Sequence, residues 1–134
     1  MEVNGSFGPI DIAISGLRSQ GKQMEVIHSN IANARTTDAG NGEPYRRREV
    51  KFTTEGEDIG SVSIDSIAAD MSQFSEILNP GHPDADANGY VSMPNVSIPT
   101  EMINLTIASR AYQANAAILK RYQKMVETSL ELLR

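Results

Sequence analysis

The sequence predicts a mainly α fold in which long N- and C-terminal helices pair as an antiparallel coiled coil, with a small loop and β-hairpin segment between them. Three observations carry this expectation. Thr100 to Arg134 contain no proline or glycine and hold an apolar repeat at Met102, Leu105, Ser109, Tyr112, Ala116, Leu119, Gln123, Val126, Leu130 and Leu133, with steps alternating 3 and 4, the spacing of a coiled-coil seam. The start of the chain steps the same way through Ile10, Ala13, Leu17, Gln20, Met24, Ile27, Ile31 and Ala34. The segment between them is rich in turn residues, so the chain must travel out and return, and two such helices joined this way run antiparallel.

In chain order, residues 1–34 form the first helix. Gly16 and Gly21 each cost it about 1 kcal/mol relative to alanine, a cost that close approach of a neighbouring backbone would explain and that otherwise appears as fraying. Asn30 and Asn33 flank its end, where asparagine serves as a cap or turn residue. Residues 35–99 form the middle segment. Asp38, Gly40, Asn41, Gly42 and Pro44 mark a turn-rich connection. Val50 and Phe52 alternate with charged neighbours, Val62 and Ile64 alternate with serines, and Glu55-Gly56-Glu57 between them completes the pattern of a short hairpin. A helical turn is expected around Met71, Phe74 and Leu78. From Asn79 to Pro99 four prolines and two glycines forbid a regular helix. Thr100 then caps the C-terminal helix, residues 100–134.

The two helices are unequal, roughly 25 and 35 residues, which at 1.5 Å per residue leaves an overhang of about 15 Å. That overhang is apolar, with Val126, Leu130, Leu132 and Leu133, and only Met1 to Pro9 lies near enough to cover it. A second row on the C-terminal helix, Ile103, Ile107, Ala111, Ala114, Ile118, Met125 and Leu132, lies about a third of a turn from the seam, where an ordinary surface helix keeps one stripe. Two stripes imply two neighbours. The candidate subunit-interface residues are therefore Ile10, Leu17, Met24, Ile27 and Ile31 on the first helix. On the second they are Met102, Leu105, Tyr112, Leu119, Val126, Leu130 and Leu133, with Ile103, Ile107, Ile118 and Met125. Ser109 and Gln123, the polar members of the seam, either fix its register or face water.

Composition excludes several classes of function. The chain has no cysteine, which removes disulfide frameworks, zinc thiolates and thiol nucleophiles. Its net charge is -5, and overall acidity argues against nucleic acid as a partner; Arg46-Arg47-Arg48, followed by Glu49, reads as a solvated or strand-edge charge run. No apolar run is long enough to span a bilayer, and Met1-Glu2-Val3-Asn4-Gly5-Ser6 lacks the basic start and apolar block of a cleaved secretory signal. The expectation is a chain that stays in the cytosol or leaves by a route that cleaves nothing. Asp84, Asp86, Asn88 and Gly89 match the opening of a calcium loop, but position 12 would be Asn95, which cannot supply a bidentate carboxylate, so a polar turn is the better reading. His28 and His82 have no ligand pattern around them. With no nucleophile beside a base and no phosphate-binding glycine loop, no cofactor, metal, small-molecule substrate or catalytic activity is expected.

Ile14-Ser15-Gly16-Leu17-Arg18-Ser19-Gln20, Asn30-Ile31-Ala32-Asn33-Ala34-Arg35-Thr36 and Pro44-Tyr45-Arg46 resemble the N-terminal signature of the axial rod and hook proteins of the bacterial flagellum. Ser109-Arg110-Ala111-Tyr112-Gln113-Ala114-Asn115 resembles the matching C-terminal signature. The connection from Asn79-Pro80-Gly81-His82-Pro83-Asp84-Ala85-Asp86 through Gly89-Tyr90-Val91 to Pro94-Asn95-Val96 is similar to that of one member in particular, from the proximal rod. The resemblance runs from about Ile12 to Leu133, with no matching motif between Thr53 and Gln73. It implies a structural subunit whose terminal helices stack into the hollow, periplasmic drive shaft that carries torque and conducts exported subunits. It also implies export by the flagellar type III route. The implied partners are other rod subunits, copies of the same chain, the motor (MS) ring and the export gate. Read without the resemblance, the seams leave open a free-standing coiled-coil binding module, which would self-associate to a fixed small number.

Overall fold

In a computed structural model, which describes residues 8–55 and 60–134, the chain forms two helices and two small antiparallel sheets. Helix α1 spans Pro9–Ala32, β1 Arg48–Glu55, β2 Ser61–Ala69, β3 Ser75–Leu78, β4 Tyr90–Met93 and α2 Ile98–Leu132. Of the described residues 48% are helical and 20% are in strands, roughly compatible with the mainly α expectation. The coiled coil expected of the terminal helices is corrected: the described residues show no such coiled coil, and two small sheets accompany the helices. The proposed cover for the overhang, residues 1–7, and the hairpin tip at Gly56 and Glu57 lie outside the described residues.

Local chemistry explains the helix limits. Pro9 and Pro99 stand in the first turns of α1 and α2, where the missing N–H has no intrahelical partner to lose. Helix α2 thus begins before Thr100: Ser97 is the N-cap residue and the Thr100 hydroxyl donates to Ser97 Oγ at 2.9 Å. At its other end α1 is closed by Asn33, whose Nδ2 donates to the Ser29 carbonyl at 2.9 Å, fulfilling the capping role expected of it. Asn30 does not cap; it is buried.

The helices lie side by side and antiparallel, Asn30 meeting Glu101 at one end and Gly16 meeting Asn115 further along. They meet along the apolar heptads only at single positions such as Ala13 and Ile27. On α1 the residues turned to α2 include Ala13, Gly16, Ile27 and Asn30, and on α2 they include Glu101, Ala108 and Asn115. Each helix is rotated so that small and polar residues occupy alternate seam positions. Ile10, Leu17, Met24, Ile31, Leu105 and Leu119 are consequently only half-buried, and Met102 and Tyr112 are exposed. Small side chains admit the close approach: a Cβ added at Gly16 would stand 2.6 Å from Asn115 Nδ2, which explains the glycine by contact and not by fraying. Gly21 has no such constraint, its nearest neighbour being Tyr112 at 3.9 Å.

Strands β1 and β2 pair antiparallel from Arg48 opposite Ala69 to Glu55 opposite Ser61, with a register shift between Lys51 and Phe52. The hairpin crosses α1, whose serines satisfy one strand edge: Val62 N–H donates to Ser15 Oγ at 3.0 Å and Ser19 Oγ donates to the Val62 carbonyl at 3.2 Å. Side-chain hydroxyls thus occupy ladder positions that would otherwise template another strand. Strands β3 and β4 pair from Ser75 opposite Met93 to Leu78 opposite Tyr90. This second sheet replaces the helical turn expected around Met71, Phe74 and Leu78.

Candidate functional site

The joint between α1, the hairpin and α2 is polar and buried. Glu101, fully buried, accepts from Arg47 Nε at 2.6 Å and from Asn30 Nδ2 at 3.1 Å. Asn30 is itself 1% exposed. Its Nδ2 also donates to the Arg48 carbonyl at 2.8 Å, while its Oδ1 accepts from Arg48 N–H and from Tyr45 Oη, both at 3.0 Å. The side-chain amide therefore bonds both backbone groups of Arg48, as a neighbouring strand would. Asn95 extends the joint to the second sheet, accepting Arg47 N–H at 2.8 Å and donating to the Asp70 carbonyl at 2.9 Å. Among the described residues no buried side-chain nitrogen or oxygen lacks a partner, the condition under which a buried polar network rigidifies a fold.

Charge follows this geometry. Burial alone would lower the Arg47 pKa, but the hydrogen bonds and negative charges of Glu101 and Glu49 outweigh it and raise the value above that of a free guanidinium. The Ser72 backbone N–H and hydroxyl, helped by Arg47, hold Asp70 below the usual carboxylate value. Because its native pKa is depressed, Asp70 contributes stability above the unfolded carboxylate value of about 4 and loses it as pH falls through the lower folded value. Replacing Asp70 with asparagine is expected to lower the denaturation midpoint at neutral pH and to matter progressively less as the pH falls through the depressed folded value, which urea titrations along an acid pH series will check.

Sequence reasoning missed Glu101, Arg47 and Asn95 as members of this joint. The three arginines do not form one charge run: Arg46 stacks 4.2 Å above the Phe74 ring, Arg47 is held in the joint, and Arg48 is exposed. One signal was available. Glu101, Leu105, Ala108, Tyr112, Asn115 and Leu119 step 4, 3, 4, 3, 4, as regularly as the apolar seam, with which they share Leu105, Tyr112 and Leu119.

The loops are organised by carboxylates that cap backbone donors. Asp38 Oδ1 accepts Gly40 N–H at 2.8 Å and Gly42 N–H at 3.0 Å, and these two bonds in that order lower its pKa. Asp86 Oδ1 accepts Asn88 N–H at 2.9 Å and Tyr90 N–H at 2.8 Å, and Asp84 Oδ2 accepts the Thr37 hydroxyl at 2.6 Å. Of the two carboxylates of the calcium-like stretch, Asp86 thus caps its own turn and Asp84 ties that turn to the loop at Thr37. Gly89 has φ +84°, and a Cβ there would lie 2.9 Å from Pro80 Cγ, so this turn requires glycine. Among the described residues no group of three histidine or acidic side chains is placed to hold a metal ion.

The other distinctive surface is α2. Ile103, Ile107, Ile118 and Met125 are exposed along one side, and Val126, Leu130 and Leu133 are exposed past the start of α1. Leu132 and Leu133 are 83% and 84% exposed, so this apolar surface runs on to the end of α2. Of the expected interface residues, Ile27 is buried within the chain itself. Among the signature residues, Asn30 and Tyr45 enter the joint, Gly16 and Asn115 touch across the helices, and Ser15 holds β2. Leu17, Gln20, Ile31 and Asn33 are half-buried, whereas Ala32, Gln113 and Ala114 are exposed. No helix among the described residues is long and apolar enough to cross a membrane.

Comparison with known proteins matches both ends of the chain. A family described as flagella basal body rod protein matches residues 10–39, and one described as flagellar basal body rod FlgEFG protein C-terminal matches residues 87–132. The flagellar basal-body rod protein FlgC of Salmonella typhimurium is 41% identical over 125 residues, covering 91% of this chain and 93% of that protein. The FlgC of Bacillus subtilis is 34% identical, covering 95% and 97%, and that of Borreliella burgdorferi is 33% identical, covering 97% and 99%. The chain belongs to the FlgC family of flagellar basal-body rod proteins, and its role is that of a structural subunit of the rod, not of an enzyme.

Proposed function

We infer that this chain is a proximal-rod subunit that assembles through the uncovered sides of α2 into a hollow shaft, which transmits torque and conducts exported subunits. The observation that carries the reading is the apolar surface of α2, which continues from Ile103 to Leu133 with no residue of the chain's own described structure over it. Its partners on this reading are other rod subunits, further copies of the chain, the MS ring and the export gate. The location is periplasmic, reached by type III export without a cleaved signal, and motility depends on it. The joint at Glu101 holds α2 at a fixed attitude to α1 and the hairpin, as a torque-bearing part requires.

The test is a double substitution, Ile103→Asp with Ile107→Asp. Both side chains are exposed, so unfolding stability should change by no more than about 0.5 kcal/mol each. Swimming and the recovery of complete rods should nevertheless be lost. A motile strain carrying both aspartates, with the protein present at normal level, would exclude this surface from assembly.

A further inference from the structure

The rotation of the two helices produces a second apolar feature. At about 100° per residue, Ile10, Leu17, Met24 and Ile31 lie on one side of the α1 surface that meets α2, and Ser15, Ser19 and Val26, which face the hairpin, lie on the other. On α2, Leu105 and Tyr112 fall to one side of the contact and Ile103, Ile107, Ile118 and Met125 to the other. Two contacts fix how these sides match. Tyr112 stands 3.9 Å from the Cβ position of Gly21, which brings Leu105 and Tyr112 to the same flank as Leu17 and Met24. Asn104 shares a pocket with Val26 and Arg48, which brings the isoleucine row to the hairpin flank. The helix pair therefore has a half-buried apolar groove on one flank and a protruding apolar ridge on the other.

We propose that the ridge of one copy of this chain seats in the groove of a second copy, side by side and pointing the same way. This rests on the chain being a rod subunit. The groove continues the buried α1–α2 interface outward, since Met24 and Ile31 border Ile27 and Leu105 borders Ala108. The shapes also match. The ridge dips at Ala111 and Ala114, between Ile107 and Ile118, and the side chain that stands up in the groove at the same height is Tyr112, which is 40% exposed. Seating Tyr112 in the dip sets the axial stagger near zero. Ridge and groove are different surfaces, so the contact is heterologous and repeats from copy to copy, generating a ring or an open helix.

With that stagger the pairing of Asn30 with Glu101 and of Gly16 with Asn115 puts Met24 level with Ile107. The absence of native cysteine allows an unambiguous cross-link between Met24→Cys and Ile107→Cys, introduced together and oxidised in isolated basal bodies. A ladder of dimers and higher multimers is expected. Copies carrying either cysteine alone should cross-link only when the two kinds are mixed, and Ile107→Cys with Ile10→Cys, displaced by about 20 Å along the helix, should not cross-link. Dimers from Met24→Cys alone overturn the proposal, because they require a two-fold contact. Cross-links solely to unlike rod proteins, or none, also overturn it while leaving the rod reading intact. Recovery of the variants in isolated basal bodies at the wild-type level establishes that they fold and assemble, and failure to find the wild-type chain there would defeat the rod reading itself.

Discussion

Replacing Arg47 with methionine is expected to destabilise the protein by about 3–5 kcal/mol, the cost of leaving one partner of a buried ion pair uncompensated. Glu101 has no exposure, while the Arg47 side chain retains 20% and bonds it at 2.6 Å, so water reaches only the arginine end of the pair. The second variant, Glu101→Gln on the Arg47→Met background, removes the orphaned charge but keeps an oxygen for Asn30 Nδ2, and should recover most of the loss. Urea unfolding of the wild type, both single variants and the double variant closes the cycle. A loss under about 1 kcal/mol for Arg47→Met would mean that Glu101 is solvated or takes up a proton at little cost.

Asn30→Asp carries the second large effect, although it changes the shape of the side chain hardly at all. The new carboxylate would replace the amide nitrogen that stands 3.1 Å from Glu101 Oε2. Two buried carboxylates at that distance cannot both be ionised, so one takes a proton and its pKa rises. The Arg48 carbonyl would also lose its donor, at about 1–3 kcal/mol. A raised native pKa makes the variant's stability greatest below the unfolded carboxylate value and progressively poorer as pH rises through the folded one. The expected result is a variant far less stable than wild type at pH 7, with the gap narrowing towards pH 4. A gap independent of pH would show that Glu101 and residue 30 do not share a site.

The terminal helices and the first hairpin were legible because each follows a period: steps of 3 and 4 in Ile10 to Ala34 and Met102 to Leu133, alternation around Val50, Phe52, Val62 and Ile64. The second sheet was not, since Ser75-Glu76-Ile77-Leu78 does not alternate and owes its pairing to the turns capped by Asp86 and Gly89. The seam was half legible. Ala13 and Ile27 belong to both the apolar repeat and the true contact, Leu105, Tyr112 and Leu119 only border it, and Gly16, Asn30, Glu101 and Asn115 stand where apolar residues were expected. Periodicity registers apolar stripes; it does not register a buried glutamate whose partner sits in a distant loop. The signature residues Asn30 and Tyr45 lie in the joint, but Asn30 read as a cap or turn residue, Arg47 read as part of a solvated or strand-edge charge run, and no motif singled out Glu101.

The bond between Asn30 and Glu101 spans 71 positions of sequence, and this separation has a kinetic meaning. Closing so long a loop forgoes chain entropy before any packing returns it, and native contacts of high sequence separation slow folding. A nascent chain can wind α1 and lay the hairpin on it through Ser15, Ser19 and Asn30, yet it cannot seat α2 in the joint until Glu101 has emerged from the ribosome. Until then the chain holds only the contacts between α1 and the hairpin, and the attitude of α2 to both is decided after they have formed.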